Sequence, residues 1–334
     1  MRRSTYGDPQ RPLLWTSKSL RKIKGALRSL GVFISHTTIG KLLRESGYSS
    51  KKNKKMEQIG KKHPDADAQM INISLKIEKF QQEGFVILSV DCKKKEPLGN
   101  YANNGSDICK EPINVKDHDF KESDTIVVAP YGFFDIILNN GFINLGKSKD
   151  TPEFAVNSIK KWWYQVGTRY YRNVSGLFIT CDGGGSNSYR SHRFKMLLQD
   201  LANEIGLKIV ISHYPPGKSK YNKIEHQLFN HISNNWRANP LCDIPTILMF
   251  IVNTTTSKGL KVFASVDVHE YKTGIKVDKK DLRKLLLVFD DFLGQWNYSI
   301  YPESQRKSVQ GIVDEQWKKI DAEEKAIKDK KKKV

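Results

Sequence analysis

The stretch "GFVILSVDCKKKE", residues 84–96, contains the pattern that decides the fold. Phe85 to Val90 is a six-residue run dominated by apolar side chains, which is typical of a strand buried on both faces of a sheet. Asp91 follows this run at the carboxyl end of the predicted strand. A charged group can leave a buried sheet at such an end and enter a cleft, so Asp91 is a candidate functional residue.

The same pattern recurs downstream in "GLFITCDGGGSN", which predicts a second buried strand that ends at Asp182. Between the two acids, "TIVVAPYGFFDIILNNGFINLG" predicts two strands with a hairpin turn at Asn139–Gly141, and a helix capped by Thr151 is expected to follow. After Asp182 come a helix, the strand "LKIVISHY" and a further helix. This order of elements predicts an α/β domain.

The last helix of this series begins within "SKYNKIEHQLFNH", residues 219–231. Ile224, Leu228 and Ile232 recur at i, i+4 and i+8, which predicts a helix with a buried apolar stripe. Glu225 lies directly beside that stripe, whereas Asn222 and Lys223 suit a solvated face. If this helix packs across the sheet, the Glu225 carboxylate points towards Asp91 and Asp182.

Three converging carboxylates indicate a metal site. Acids about 4 Å apart repel one another unless a cation neutralises them, and the oxygen donors favour a hard divalent ion. We expect two Mg²⁺ ions, with Mn²⁺ as a substitute, because a pair of such ions stabilises both oxygens of an in-line phosphoryl displacement. Taken singly, each acid is more readily explained as a helix cap, a turn residue or a surface charge, and it is the joint pattern of the three that favours a metal site.

Charge indicates the partner. The chain of 334 residues carries a formal net charge of +20 at pH 7, which favours polyanions and above all nucleic acid. Anionic lipid is the other polyanion, but there is no apolar run near the roughly 18 residues of a spanning helix and no signal-peptide core. We therefore expect a soluble, intracellular, DNA-associated protein with no membrane partner. The four scattered cysteines favour reduced thiols over a zinc ribbon or disulfide framework.

Residues 1–50 contain two short helical patterns, "SKSLRKIKGALRSLG" and "VFISHTTIGKLLRESGYS", that predict a small all-helical helix-turn-helix domain. Ser35 is the expected cap of the second helix, and Ile39, Leu42 and Leu43 form its inner face. Its outward side chains able to reach phosphates or base edges include Thr37, Lys41 and Arg44. The alternative is that these are only solvated positions on a small bundle.

Three further segments complete the domain organisation. Residues 51–82 are expected to form a basic linker and a connecting helix, and residues 83–302 the catalytic domain. Residues 303–334 predict a charged helical tail with a weak apolar stripe, which we interpret as an appended surface segment. The expected stripe consists of Ile312, Val313, Trp317 and Ile320.

Glycines and lysines that are close to the three acids in the sequence are suited to contact a nucleic-acid backbone. Gly183, Gly184 and Gly185 would allow close approach of that backbone, although they could equally form a strand-to-helix turn. "DGGGSN" lacks the phosphate-loop pattern, so no nucleotide cofactor is expected. The lysines expected to hold DNA phosphates are Lys93, Lys94, Lys218, Lys220 and Lys223.

Four histidines in the same region raise the question of a metal ligand or a general base. None has the spacing to a carboxylate that is typical of zinc hydrolases, so a structural role is favoured. His226 is the most interesting because it adjoins Glu225. The four are His192, His213, His226 and His231.

At "SVDCKKKE", "TCDGGGSN" and "PPGKSKYNKIEHQLF" the sequence closely resembles the Rhodopirellula-type DDE transposases of bacterial insertion sequences. The likeness extends from "YGDPQRPLLWTSKSLRKI" to "GQWNYSIYP", residues 294–302. It implies a ribonuclease-H-like mixed sheet flanked by helices and metal-dependent DNA cleavage and strand transfer. It also implies a catalytic and metal-binding triad of Asp91, Asp182 and Glu225, and a homo-oligomer that acts on transposon ends and target DNA.

Two departures from the family pattern leave other functions open. Relative to the family, the chain begins partway through the amino-terminal helical region, so we expect incomplete recognition of transposon ends, as in a truncated or decaying copy. The lysine-rich tail extends past the family's usual end. The alternatives are a catalytically silent or domesticated helix-turn-helix DNA-binding protein and a ribonuclease-H-like nuclease.

Overall fold

The computed structural model describes residues 5–6, 15–16, 19–48, 63–116 and 125–332. The chain divides into two compact units, Met1–Lys61 and Lys62–Val334. The helix expected to connect the domains therefore belongs to the second unit.

Two short helices form the main part of the first unit, α1 (Leu20–Arg28) and α2 (His36–Glu45). The Ser35 side chain caps α2 as predicted, accepting a hydrogen bond from the Thr38 N–H at 2.9 Å. Ile39 is buried, but Leu42, also expected to face inward, is 49% exposed because this small unit buries little surface. The helices are accompanied by a pair of two-residue antiparallel strands that the sequence did not predict, β1 (Thr5–Tyr6) and β2 (Trp15–Thr16).

A nine-stranded mixed sheet forms the centre of the second unit. Its strands are β3 (Val86–Cys92), β4 (Glu96–Pro97), β5 (Val127–Asp135), β6 (Asn140–Gly146), β7 (Gly176–Cys181), β8 (Lys208–His213), β9 (Lys261–Asp267), β10 (Leu287–Phe289) and β11 (Asn297–Ile300). The order across the sheet is β10-β11-β8-β7-β3-β5-β6-β9, and β4 pairs with β5. β3, β7 and β8 are parallel neighbours, and β5 is antiparallel to β3.

Helices flank this sheet, so the predicted architecture of a mixed sheet flanked by helices is confirmed. They are α3 (Ala66–Gln82), α4 (Pro152–Trp162), α5 (Thr168–Tyr170), α6 (His192–Ile205), α7 (Asn230–Asn235), α8 (Ile244–Val252), α9 (Lys279–Leu282) and α10 (Arg306–Lys332). Two π-helical segments, Trp163–Gly167 and Glu225–Phe229, continue α4 and precede α7. Single 3₁₀ turns occur at Gly185–Asn187, Ser219–Tyr221 and Glu303–Gln305. None of the described helices is both long and apolar enough to cross a membrane.

Alternation along β3 sends its side chains into different parts of the core. Val86, Leu88 and Val90 join the main apolar cluster, which also contains residues of α4 and α6. Ile87 instead packs in a cluster with α3. Because successive strand residues point to opposite faces, Ser89 and Asp91 share the face of Ile87.

The hairpin turn between β5 and β6 differs slightly from the prediction. The turn comprises residues 136–139, and Asn140 is already paired with Asp135. Asn139 has a φ of 53°, a left-handed conformation that asparagine tolerates better than most residues. The expected turn at Asn139–Gly141 was therefore placed too late by about two residues.

The apolar stripe predicted before α7 is confirmed. Ile224, Leu228 and Ile232 are each 0–1% exposed and pack in one cluster with residues of β6 and α8. The neighbouring Glu225 therefore begins a segment that is held firmly on the sheet.

The carboxyl-terminal helix is an integral part of the second unit. Val309, Val313 and Trp317 of α10 are buried in the main apolar cluster. Ile312, expected on the inner stripe, is 50% exposed, because Val309 occupies the inner position at four-residue spacing from Val313. The interpretation of this segment as an appended surface tail was wrong.

Candidate active site

Asp91 and Asp182 lie at the ends of two neighbouring parallel strands. The register of β3 with β7 pairs Ser89 with Thr180 and Val90 with Cys181. One step further along this register, Asp91 and Asp182 stand side by side. The two predicted strand-end acids are thus brought together by the sheet itself.

Asp91 is the most buried of these acids, at 7% exposure. Burial, and after it the negative charges of Asp182 and Glu225, raise the pKa of Asp91 to about 8. The Cys92 N–H donates to Asp91 Oδ1 at 2.8 Å and partly offsets that rise. Asp91 is therefore a carboxylate whose ionised form lacks sufficient stabilisation from the protein.

Asp182 has a similar environment. Burial raises its pKa, and so do the charges of Asp150 and Glu225, while the Gly184 N–H and the Asn187 side chain act in the opposite direction. His213 contacts the backbone of Asp182, and its Nδ1 lies 3.0 Å from the Asp182 carbonyl oxygen. The His213 Nε2 lies 3.0 Å from the Tyr298 hydroxyl, so this histidine is held at both ring nitrogens.

Glu225 is the first residue of the π-helical segment and is half-buried. Its position depends on Asn222, which is fully buried. The Asn222 amide donates to the Val90 carbonyl at 3.0 Å, and its carbonyl oxygen accepts from the Ser89 hydroxyl. The Ser89 hydroxyl in turn accepts the Ile224 N–H at 2.9 Å. These bonds fasten the start of the segment to the two residues that precede Asp91.

The three predicted acids therefore converge on one region, as judged by the effect of their charges on one another. In the described parts of the chain, no lysine, arginine or histidine nitrogen lies within 4 Å of these carboxylates, although the chain has a net charge of +20. Across the same described ranges, no three acidic, histidine or cysteine side chains are close enough, as they stand, to hold one ion. The donor set nevertheless suits a hard divalent cation, because every donor is a carboxylate oxygen and none has a cationic partner among the described residues.

A fourth acid, Asp150, lies in the same region and was missed by sequence reasoning. It immediately precedes Thr151, which was recognised only as the cap of α4 and does accept from the Phe154 N–H. The Asp150 charge contributes to the raised pKa of Asp182. The one signal available in the sequence was an acid directly before a helix cap, a position at which acids are common for other reasons.

The predicted glycine loop lies against two of these acids. A Cβ at Gly184 would lie 3.7 Å from Asp182 Oδ2, and a Cβ at Gly185 would lie 3.8 Å from Asp150 Oδ2. Gly185 also has a φ of +57°, which favours glycine. The loop leads into a 3₁₀ turn, so the predicted turn role is observed together with close approach to the acids.

Three of the predicted DNA-binding lysines line one cavity together with Glu225. Lys93, Lys94 and Lys220 border this cavity. Lys93 is also engaged within the protein, because its ammonium lies 2.5 Å from Glu96 and 4.6 Å from the centre of the Trp236 ring. Lys94 and Lys220 are exposed. Lys94 lies in the segment after β3, and Lys220 lies in the segment before Glu225.

The other predicted DNA-binding side chains have varied surroundings. Lys218 lies 3.0 Å from Asp67, and Lys223 is exposed. In the first unit, Thr37 shares a hydrogen bond with Ser35 at 2.6 Å, and Lys41 lies 3.8 Å from Glu45. Arg44 is exposed on the same helix as Lys41.

Three of the four histidines bond to backbone carbonyls, which agrees with the structural role favoured from the sequence. His192 Nδ1 lies 3.2 Å from the Val277 oxygen, and His226 Nε2 lies 2.7 Å from the Lys220 oxygen. His213 holds Asp182 as described above. Burial lowers the pKa of His213 to about 3, so its ring is neutral. His231 is half-buried on α7.

Comparison with known proteins identifies the family. Residues 1–302 match the family model described as the Rhodopirellula transposase DDE domain. The chain belongs to this transposase family. The resemblance seen in the sequence motifs is thereby confirmed over nearly the whole chain.

No curated protein matches this transposase-family chain significantly. Among solved structures, it is similar to the Mos1 strand transfer complex, with a TM-score of 0.42 and 10% identity, over 72% of this chain and 71% of that one. It is also similar to the Mos1 paired-end complex with the left transposon end, with a TM-score of 0.41 and 11% identity, over 69% and 64% of the two chains. The chain thus spans 64% of the length of that Mos1 transposase chain.

Proposed function

We propose that this protein is a DDE transposase that cleaves DNA at the ends of an insertion sequence and joins the freed ends to target DNA. The observation that carries the proposal is the convergence of Asp91, Asp182 and Glu225 in a chain of a transposase family. Asp91 and Asp182 come from adjacent strand ends, and Glu225 is fastened to β3 through Asn222. These three acids are the proposed catalytic and metal-binding residues.

The same acids would hold the divalent cations, Mg²⁺ or Mn²⁺. When bound, such a cation supplies charge stabilisation to the phosphodiester and lowers the pKa of a coordinated water. The role of the chain is to present oxygen donors in a place where burial makes their unneutralised charge unfavourable. Binding of a cation would therefore stabilise carboxylate charges that are unfavourable in the metal-free folded protein.

Exposed lysines beside Glu225 are the proposed contacts for the DNA backbone. Lys94 and Lys220 border the same cavity as Glu225, so a phosphodiester held by their ammonium groups would lie next to the acid. Gly184 and Gly185, where an added Cβ would meet nothing closer than 3.7 Å, would leave room for a DNA strand beside the acids. Thr37, Lys41 and Arg44 in the first unit remain proposed contacts to transposon ends, and a multimer on paired ends remains part of the proposal.

The decisive experiment is cleavage of DNA that carries the element's own flanking sequence. With Mg²⁺, the wild type should nick this DNA and a chelator should stop the reaction. Asp182→Asn should abolish nicking but retain DNA binding in a gel-shift assay. Asp200→Asn is the matched control, because Asp200 is an exposed aspartate on α6, and it should nick like the wild type. Equal nicking by wild type and Asp182→Asn would overturn the proposal.

The lysine contacts can be tested by salt dependence. The double variant Lys94→Ala and Lys220→Ala should reduce the slope of log K against log salt by roughly 0.9 for each lost phosphate contact. The double variant Lys318→Ala and Lys325→Ala, at exposed positions of α10, is the matched control for charge. An equal loss of slope in both would show that only overall charge matters.

A further inference from the structure

Lys195 is a buried lysine without an acidic partner. It lies near the start of α6 and is only 4% exposed. Within the described ranges, no carboxylate oxygen lies within 4 Å of its Nζ atom. Burial lowers the pKa of Lys195 to about 8, so the side chain still carries its charge at pH 7. A buried charge is unfavourable, and its presence calls for an explanation.

The position of Lys195 in its helix makes the charge more unfavourable still. The amino-terminal end of a helix carries a partial positive charge, which disfavours a cation nearby. Lys195 is not needed as a cap, because the Ser191 hydroxyl accepts the Phe194 N–H at 3.1 Å. An apolar side chain of similar length would fill the same space without these unfavourable terms. What Lys195 adds is an ammonium group that can donate hydrogen bonds.

The ammonium group contacts two tyrosines. It donates a hydrogen bond to the Tyr189 carbonyl. It also lies 4.8 Å from the centre of the Tyr298 ring, a cation–π contact. Tyr189 is the last residue of the 182–189 loop, which begins at Asp182, whereas Tyr298 lies on β11. Lys195 therefore joins one end of this loop to the sheet.

A buried histidine connects Tyr298 to the other end of the 182–189 loop. The His213 Nδ1 lies 3.0 Å from the Asp182 carbonyl oxygen, and its Nε2 lies 3.0 Å from the Tyr298 hydroxyl. A carbonyl oxygen only accepts, so Nδ1 donates, and Nε2 of the neutral ring accepts from the Tyr298 hydroxyl. Burial, together with the positive charge of Lys195, lowers the pKa of His213 to about 3. Lys195 thus helps to keep the ring in the neutral form that this bonding requires.

The 182–189 loop surrounds Asp182 with groups that depend on Tyr189. The Tyr189 ring packs against Gly183, where an added Cβ would lie 3.1 Å from Tyr189 Cδ1. Asn187 is buried in the same loop, and its side-chain hydrogen bond favours the ionised form of Asp182. A displacement of Tyr189 would therefore reach the groups that adjoin Asp182.

We propose that Lys195 is a positioning residue for Asp182, and that its ammonium group holds both ends of the 182–189 loop through Tyr189 and through Tyr298 and His213. The inference rests on the proposed function, because Asp182 is one of the proposed catalytic acids. Lys195 acts through the loop and not on the DNA. Its loss should slow the reaction and leave the affinity for DNA unchanged.

The first test is Lys195→Met, which keeps the length of the side chain and removes the ammonium group. With Mg²⁺ and saturating element-end DNA, its nicking rate should fall about tenfold or more, because small displacements of a catalytic group are costly. The DNA concentration that gives half the maximal rate should stay within about twofold of the wild-type value. The melting temperature in chelator should equal that of the wild type or exceed it, because a buried charge is removed. A lower melting temperature with an unchanged nicking rate would overturn the proposal.

Tyr298→Phe tests the same connection without removing the cation. It deletes the hydroxyl that bonds to His213 and keeps the ring beside Lys195. This variant should also nick more slowly than the wild type. The double variant with Lys195→Met should be no slower than Lys195→Met alone, because both residues act through one loop. Multiplied effects would show that the two residues act independently and would overturn the proposal.

The matched control is Lys208→Met. The Lys208 Nζ atom likewise lies over a tyrosine, 4.6 Å from the centre of the Tyr301 ring. Lys208 is at the opposite end of β8 from His213, away from the 182–189 loop. It should nick DNA and melt like the wild type.

Hydrogen exchange separates failure of this inference from failure of the proposed function, because it needs neither DNA nor metal. The amides of residues 183–189 should exchange faster in Lys195→Met than in the wild type, and Lys208→Met should match the wild type. If the wild type does not nick DNA, faster exchange in Lys195→Met would support the loop role while the proposed function fails. Unchanged exchange and unchanged nicking in Lys195→Met, beside an inactive Asp182→Asn, would overturn the role of Lys195 alone.

Discussion

Asn222 and Ser89 form a buried hydrogen-bonded pair between residues that are far apart in the chain. Ser89 lies two residues before Asp91, and Asn222 lies three residues before Glu225. Because Asn222 also donates to the Val90 carbonyl, the segment that carries Glu225 is tied to the strand that carries Asp91 at two points. This pair fixes the distance between two of the proposed catalytic acids.

Asn222→Ala should therefore reduce both stability and activity. It removes the acceptor of the Ser89 hydroxyl and the side-chain donor to the Val90 carbonyl, which should lower the free energy of unfolding by about 1–3 kcal/mol. Cleavage of element-end DNA should fall further than stability alone explains, because Glu225 loses its anchor. Asn234→Ala is the control, since Asn234 is exposed on α7, and urea unfolding should show a change within about 0.5 kcal/mol. Wild-type cleavage by a folded Asn222→Ala variant would contradict this role.

The raised pKa of Asp91, about 8, predicts a pH-dependent stability of the metal-free protein. The folded state favours the protonated carboxyl, so its stabilising contribution is complete below the ordinary aspartate pKa near 4 and is lost as the pH rises towards 8. The melting temperature of the wild type should fall between pH 5 and pH 8 more steeply than that of Asp91→Asn. Mg²⁺ at saturating concentration should reduce the fall, because it stabilises the ionised acid.

The control for this measurement is Asp200→Asn, which should follow the wild type at every pH because Asp200 is exposed. Melting curves recorded in chelator across the same buffers provide the comparison. Parallel curves for wild type and Asp91→Asn would show that the burial of Asp91 has no consequence for stability.

Two adjacent glycines should respond differently to alanine. Gly185→Ala places a Cβ on a residue with a φ of +57° and should cost about 1–2 kcal/mol of stability. Gly184→Ala meets only an ordinary contact, 3.7 Å from Asp182 Oδ2, and should leave stability within about 0.5 kcal/mol. If DNA approaches the loop closely, Gly184→Ala should nevertheless slow cleavage. Stability is measured by urea unfolding, and an unchanged rate for Gly184→Ala would argue against close approach of the DNA.

The positions of Asp91, Asp182 and Glu225 could be predicted because each has a local signal. Asp91 lies at the end of a buried strand, Asp182 follows another, and Glu225 adjoins a stripe that proved to be fully buried. The sheet order and the register that place Asp91 beside Asp182 arise from long-range pairing, which no local pattern reveals.

Asn222 and Asp150 could not be predicted for a related reason. Asn222 has a polar side chain and would be expected on a solvated face. It is nevertheless fully buried, because its hydrogen-bond partners lie on β3, far away in the sequence. Asp150 precedes a helix cap, where an acid is unremarkable until the neighbouring loop is seen. Burial of a polar side chain depends on partners that only the folded chain supplies.

The carboxyl-terminal helix provides a last prediction, because its apolar stripe is buried in the main core. Trp317 is 8% exposed, packs edge-on against Phe289 with ring centres 6.0 Å apart, and lies under the Arg283 guanidinium. Trp317→Ala should therefore lower the free energy of unfolding by about 3–5 kcal/mol. Ile312→Ala, at an exposed position of the same helix, should change it by less than about 1 kcal/mol. Equal effects of the two substitutions in urea unfolding would mean that α10 does not pack on the sheet as described.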